Sequence, residues 1–399
     1  MTNHQNNSHT YDLIVVGLGA MGSAALYQAA KAGINVLGID RFAPPHNMGS
    51  SHAETRITRL AVGEGPQYLP LVARSHEIWR ELEATTGHDL LYQSGLYIIT
   101  PPEPDAARGE TKHNHWDGFV ARTAEIAAGA NIPYEQRTAA QVRAHLPYVL
   151  MRDGDIAGYE PTGGVVLCEQ AVEIQIAQAK KFGAEVVVNQ PVTDIQWGPT
   201  DVTVTTAQGR YDAEKVIVTA GAWMPDFLPA LKRELLTVTR QVVYWFEVEE
   251  PAHYSTDNFP AFLWVGDTRE EYFSTFPSPP DGIPGLKVLT EQFDVATDPN
   301  TVERTVTEAE IDTFYDEFLS KKLSGVTRNC IKAEICLYTN TPDDHFLIDF
   351  HPASERVLLA SPCSGHGFKH SAAVGEAMVQ LVMTGQSEID LSSFAFDPS

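Results

Sequence analysis

Cysteine is scarce in this chain. Its 399 residues include only four, Cys168, Cys330, Cys336 and Cys363. That is too few for a disulfide-stapled scaffold, and no CxxC pair marks a zinc site, so no metal is expected. Long apolar runs are missing too: nothing approaches the roughly 18–20 residues of a membrane span. Basic residues are in deficit, 28 Lys and Arg against 52 Asp and Glu, for a formal net charge of −24. Phosphate backbones and anionic membrane surfaces select clustered cations, so neither nucleic acid nor membrane is expected as a partner. The opening residues, MTNHQNNSHT, carry no basic cluster and no apolar stretch. They read as a flexible tail over residues 1–9 rather than a signal peptide, and a cytoplasmic location is expected.

What is present points to a folded protein. Hydrophobic residues make up 43% of the chain, too many for a disordered polymer of this charge. At roughly 100–200 residues per domain, the length suggests two or three domains. Residues 11–40 read as one β-α-β unit. Tyr11–Val16 is an apolar run suited to a buried parallel strand, Ser23–Ala32 is helical and stops at Gly33, and Asn35–Ile39 is a second strand. Residues 66–86 have apolar groups at helical spacing, 90–100 suggest a strand pair turning near Gly95, and 101–115 form a polar, Pro-rich loop. Thr138 with Gln141 is a capping-box pattern. A helix over 168–182, short strands to 219, a long strand at 240–249, an acidic helix at 307–319, strands at 332–338 and 357–360 and a helix at 372–383 follow. This order predicts an α/β chain, α+β overall: a Rossmann-like nucleotide domain in separated segments with an inserted, mostly antiparallel domain. The expected boundaries are 10–95, 155–235 and 330–399 for the first, and 96–154 and 236–329 for the second.

Gly17-Leu-Gly19-Ala-Met-Gly22 follows the first strand and opens the first helix, and Asp40 ends the next strand. That context turns a weak GxGxxG match into a dinucleotide fingerprint. Gly17 permits the tight turn, Gly19 lets backbone approach a pyrophosphate, and Gly22 lets helix and strand pack closely. The helix N-terminus offers free N–H groups to phosphate. Asp40 would accept hydrogen bonds from a ribose diol and would disfavour a 2′-phosphate. The fingerprint does not separate NAD from FAD.

Three longer blocks do: RFAPPHNMGSSHAETRITRLAVGEG after Asp40, CLYTNTPDDHFLID from Cys336 and SGHGFKHSAAVGE from Ser364. Together, in order from residue 11 to about 395, they resemble the monomeric sarcosine oxidase / N-methyltryptophan oxidase family of flavoprotein amine oxidases. The resemblance implies FAD linked through its 8α-methyl carbon to the sulfur of Cys336. It places Arg59 and Lys369 on a substrate carboxylate and Arg56 beside the flavin ring. His52 near the flavin and His366 near the substrate could each serve a hydrogen-bonding or a catalytic role. Lys287 aligns with the lysine that activates O2 on the opposite flavin face, and Tyr338 with a pocket tyrosine. The cofactor set extends to Met21, Arg41, Ser50, Val192, Gly365 and Gly367, with His52 and Lys369 also in reach.

Two positions depart from the family pattern. FSTFP stands where a tyrosine-rich YYGFP is usual, putting Ser274 at a pocket-tyrosine position, and Glu291 stands where sarcosine oxidases carry a histidine. The implied activity is oxidation of secondary amino acids to imines with O2 reduced to H2O2, by a monomer or weak dimer. Cyclic imino acids, sugar-modified or primary amino acids, and a dehydrogenase using a carrier protein instead of O2 are the alternatives.

Overall fold

A computed structural model of the chain describes residues 10–101, 118–266, 271–293 and 295–396. The expected tail and nearly all of the expected 101–115 loop lie outside these residues. The strand Thr10–Val16 buries Tyr11 and residues 13–16, and it pairs in parallel with both Val36–Ile39 and Gly209–Val218. Glu185–Val187 adds beyond Val36–Ile39, and Ser354–Ser361 beyond Gly209–Val218. Val192–Trp197, Val202–Thr206 and Leu347–His351 complete this eight-stranded sheet with antiparallel pairs.

The helices Ala20–Lys31, Cys168–Lys181 and Ser371–Thr384 contribute to one buried apolar core with this sheet. The first and last touch closely. A Cβ on Gly375 would sit 2.4 Å from the Cβ of Ala24, so only glycine allows that approach.

A second eight-stranded sheet, mostly antiparallel, runs in the order Val326–Asn340, Thr237–Val248, Leu286–Thr290, Phe273–Phe276, Ala261–Trp264, Leu96–Thr100, Ile156–Glu160 and Glu135–Thr138. A three-stranded sheet joins Thr55–Thr58, Gly164–Leu167 and Leu91–Tyr92. The Thr138 capping box is present in full. Sheet membership departs from the expected segment boundaries in two places. Ile156–Glu160 and all of Val326–Asn340, Cys336 included, belong to the second sheet. The strand that carries Cys336 thus pairs with Thr237–Val248 while its C-terminal end reaches the nucleotide sheet's crevice.

No helix among the described residues is long and apolar enough to cross a membrane.

Candidate active site

The glycine loop is built by tight contacts. Gly17 adopts φ +85°, and a Cβ there would lie 2.4 Å from the carbonyl oxygen of Thr219. Gly22 is more constrained still: its Cβ would fall 1.7 Å from the oxygen of Gly17. Gly19 meets only Ser51 Oγ, at 3.3 Å, and lines a cavity of about 620 Å³. Gly19, at the N-cap of the helix that starts at Ala20, has no side chain to cap it, and Ser51 Oγ accepts from Ala20 N at 3.0 Å. The helix N-terminus offers an anion site to the cavity.

Asp40 does more than the ribose contact expected of it. Its Oδ2 accepts from Leu18 N at 2.6 Å and its Oδ1 from Phe42 N at 2.7 Å, so the carboxylate fastens the glycine loop while facing the cavity. Thr219, which sequence reading passed over, donates to Gly17 O at 2.7 Å from the neighbouring strand. The fit to FAD rests on these features: an open Gly19 at a helix N-terminus, an acid at the ribose position and a crevice of about 620 Å³. Met21, Arg41, Ser50, Val192, Gly365 and Gly367 all line it, and its far end reaches Arg56, Tyr338 and Cys363.

A smaller cavity of about 70 Å³ shares Arg56, Tyr338, Gly365 and Phe368 with the large one. Arg59, Lys369, Glu64, His366, Ser274 and Glu291 line it. Arg59 lies just past the strand Thr55–Thr58, not on a helix. Its segment is held by Glu160, whose carboxylate accepts from Leu60 N at 2.7 Å and Ala61 N at 3.0 Å. Glu64 centres the cations. Its Oε1 is 2.5 Å from Arg59 Nη2 and 3.0 Å from Lys369 Nζ, with His366 Nδ1 at 3.9 Å. Burial works against its charge, but Arg59 and Lys369 outweigh it and hold the carboxyl well below the usual range. Burial pushes Lys369 down to about 8, against the pull of Glu64. Arg59 Nε and Glu64 Oε2 are buried without a hydrogen-bond partner. Two cations and a local carboxylate here leave bonding capacity that a second, incoming carboxylate can use.

A tyrosine stands two residues before position 274, at Tyr272, just ahead of the strand Phe273–Phe276. Tyr272 lines the small cavity, and its hydroxyl is 2.9 Å from Ser274 Oγ. Burial and the nearby Glu291 charge push the Tyr272 and Tyr338 hydroxyls well above their ordinary pKa.

Arg56 joins both cavities to the sulfur groups. Its Nη2 is 3.4 Å from Cys336 Sγ and 2.6 Å from Ser50 O, and its Nη1 is 3.9 Å from Cys168 Sγ. The backbone that aims it is unusual: Ala53 and Glu54 have φ of +73° and +65°. Such conformations cost on the order of 1–3 kcal/mol each, and the Glu54 side chain offsets that with bonds from Trp245 Nε1 and Ile283 N, both 2.6 Å. Lys287 is buried and donates to Thr55 O and to Thr55 Oγ1, its ammonium 4.0 Å from the Phe276 ring centre. Burial, reinforced by Arg56, pulls it down to about 7.

Cys336 is 2% exposed and lines neither cavity, as is true of Gly22, His52 and Lys287. Arg56 is the group between its sulfur and the crevice. Desolvation raises the thiols of Cys168 and Cys363, but Cys336 is lowered because His52 and Arg56 outweigh burial. His52 Nε2 is 3.3 Å from Cys336 Sγ, and its Nδ1 is 3.2 Å from Glu334 Oε2. Sequence reading missed Glu64, Glu54 and Glu334, since lone acids in an acidic chain carry no pattern.

The FAD dependent oxidoreductase pattern matches residues 12–381. The chain is 36% identical over 389 residues to monomeric sarcosine oxidase from Bacillus sp. (strain B-0618), covering 97% of this chain and 96% of that one. It is 36% identical over 387 residues to N-methyl-L-tryptophan oxidase from Yersinia pestis (strain Pestoides F), covering 96% and 98%. Among solved structures, NikD, an amino acid oxidase of nikkomycin biosynthesis, matches with TM-score 0.80 at 20% identity over 97% and 98% of the chains. Amadoriase I from Aspergillus fumigatus matches with TM-score 0.75 at 18% identity over 98% and 90%, a likeness of fold. A fingerprinted crevice, a cationic side pocket and full-length similarity agree: this chain belongs to the FAD dependent oxidoreductase family, alongside the monomeric sarcosine and N-methyl-L-tryptophan oxidases.

Proposed function

We propose that the chain is an FAD-dependent oxidase of small secondary amino acids, N-methyl amino acids in particular, with Cys336 as the covalent attachment point of the flavin. The observation that carries this reading is the convergence of Arg59 and Lys369 on one buried carboxylate, in a cavity that shares a wall with the FAD crevice. When bound, FAD supplies a two-electron oxidation of the C–H beside nitrogen, leaving an imine that hydrolyses, and passes the electrons to O2 as H2O2.

The residues divide the remaining work. Arg59 gives a planar fork and Lys369 a point charge, so a substrate carboxylate that displaces Glu64 is fixed in orientation. Arg56 sets a permanent cation where the crevice and the small cavity meet. Lys287 supplies a second buried cation, suited to stabilising negative charge that develops on oxygen. Tyr272, Ser274 and Tyr338 close the pocket with hydroxyls and exclude water. Glu291 gives that wall a carboxylate and favours a substrate with an added donor or cation near its amine.

The test is a substrate panel of N-methyl, cyclic, sugar-modified and primary amino acids, read by H2O2 and formaldehyde together. Equal amounts of both from an N-methyl amino acid support the reading. Peroxide from cyclic or primary amino acids alone, or reduction without peroxide, would replace the substrate class or the acceptor.

A further inference from the structure

Cys336 has a chain of ionic contacts that leads away from both cavities. Its sulfur faces His52 Nε2 at 3.3 Å, and His52 Nδ1 faces Glu334 Oε2 at 3.2 Å. Glu334 Oε1 is 2.7 Å from Lys332 Nζ, whose side chain is 41% exposed, so the line begins at a buried thiol and ends at solvent. Glu334, Lys332 and Cys336 lie at alternate positions of one strand, which puts all three on one face. His52 comes from the loop before the strand Thr55–Thr58.

We propose that Glu334 is a positioning residue: its carboxylate fixes the His52 imidazole, which takes the proton of Cys336 and keeps the sulfur a thiolate before flavin is joined to it. The inference rests on the reading of Cys336 as the attachment point. The nucleophile, the base and the orienting acid stand in line, as in activated cysteines generally. The acid makes the line effective, because a buried imidazolium without a partner is costly. With it, the pair of charges on Cys336 and His52 is bounded by Glu334 on one side and Arg56 on the other. Lys287 and Arg304 add positive charge around the sulfur, while Tyr338 and Cys363 are the neutral titratable neighbours. Burial opposes the charge on His52, yet Cys336 and Glu334 together raise it above the ordinary imidazole range.

The step served balances as follows. The thiol proton goes to His52, an S–C bond forms at the 8α carbon, that carbon loses one hydrogen as a proton, and two electrons enter the flavin. O2 then accepts those electrons and two protons as H2O2.

The test uses full-length chain produced without flavin. The ultraviolet thiolate absorbance of wild type minus Cys336→Ser is followed against pH, then repeated in Glu334→Gln and Glu334→Asp backgrounds. Glu334→Gln should move the midpoint up by about one pH unit and slow the appearance of acid-stable flavin on adding FAD about tenfold. Glu334→Asp should restore most of both. A Glu334→Gln chain with unchanged midpoint and attachment rate overturns the proposal. If the midpoint shifts but not even wild type retains flavin after acid precipitation, the relay stands and the attachment reading falls.

Discussion

At the residue scale, Glu64 already occupies the two cations assigned to the substrate. Removing its charge has opposite effects on fold and binding. Glu64→Gln leaves Arg59 and Lys369 buried without a counter-charge, which should cost about 3–5 kcal/mol of stability, seen as a lower Tm. The same variant should bind small carboxylate inhibitors about tenfold more tightly in a flavin-absorbance titration, since nothing competes for the clamp. Weaker carboxylate binding would show that Glu64 shapes the clamp rather than occupying it. Glu291 faces the same cavity from the opposite side of the substrate problem. Glu291→Gln should reduce the preference for substrates bearing an extra cationic or donor group about tenfold, measured as the ratio of kcat/KM to that for sarcosine. An unchanged ranking would remove Glu291 from substrate choice. Arg56, Arg59, Lys369 and Cys336 were legible because the family resemblance assigns a role to each inside its matched block, and Lys287 because it aligns in a GLK segment outside them. Glu54 and Glu64, although inside the first block, and Glu160 and Glu334 were not, because each role depends on groups brought to it from remote segments: Trp245 and Ile283, Lys369, Leu60 and Ala61, and His52.

At the scale of elements, the glycine loop offers a sharp contrast. Gly22→Ala drives a methyl into Gly17 O, whereas Gly19→Ala meets only a serine hydroxyl at 3.3 Å. Gly22→Ala should therefore abolish folded, flavin-bound protein. Gly19→Ala should fold and, in a Cys336→Ser background where flavin can leave, hold FAD about tenfold less tightly by fluorescence. Equal effects would mean that the loop serves packing alone. The β-α-β unit was legible because its apolar runs are continuous and its breaks are glycines. Ala261–Trp264 and Phe273–Phe276 were not recognised as strands. Every residue in both is buried, so they lack the two-residue alternation that marks a half-exposed strand. Thr55–Thr58 is likewise a strand without a local signal, since two of its four residues are partly exposed and it carries no apolar run. The pairing of Arg56 with Val166 in a remote segment is what makes it a strand.

At the scale of the molecule, the formal charge of −24 does not foretell the buried cations of the site. Arg56, Arg59 and Lys369 line the two adjoining cavities with Glu64 and Glu291, and Lys287 is buried beside Thr55. The buried cations leave a mark on stability. Lys287 titrates near 7 in the folded chain against an ordinary 10.5, so between those values the folded state binds fewer protons than the unfolded. Its contribution to stability therefore rises with pH across that window. Flavin-free Lys287→Met should be more stable than wild type at pH 6, and the advantage should shrink toward pH 10 in thermal unfolding. A pH-independent difference would mean that Lys287 is not buried as a cation.

The sequence order anticipated both sheets, but not that the long strand carrying Cys336 belongs to the second sheet while ending at the first sheet's crevice. That crossing brings Tyr338, two residues past Cys336, to the wall of the other sheet's crevice. The central claim is that the crevice and the small cavity act together on a secondary amino acid. Anaerobic mixing of the yellow holoprotein with N-methyl amino acids tests it most directly. The account predicts that at least one bleaches the flavin absorbance, that admitted air restores it with release of H2O2, and that Arg59→Met abolishes the bleaching at substrate levels that saturate wild type. Flavin that stays oxidised with every secondary amino acid would contradict it.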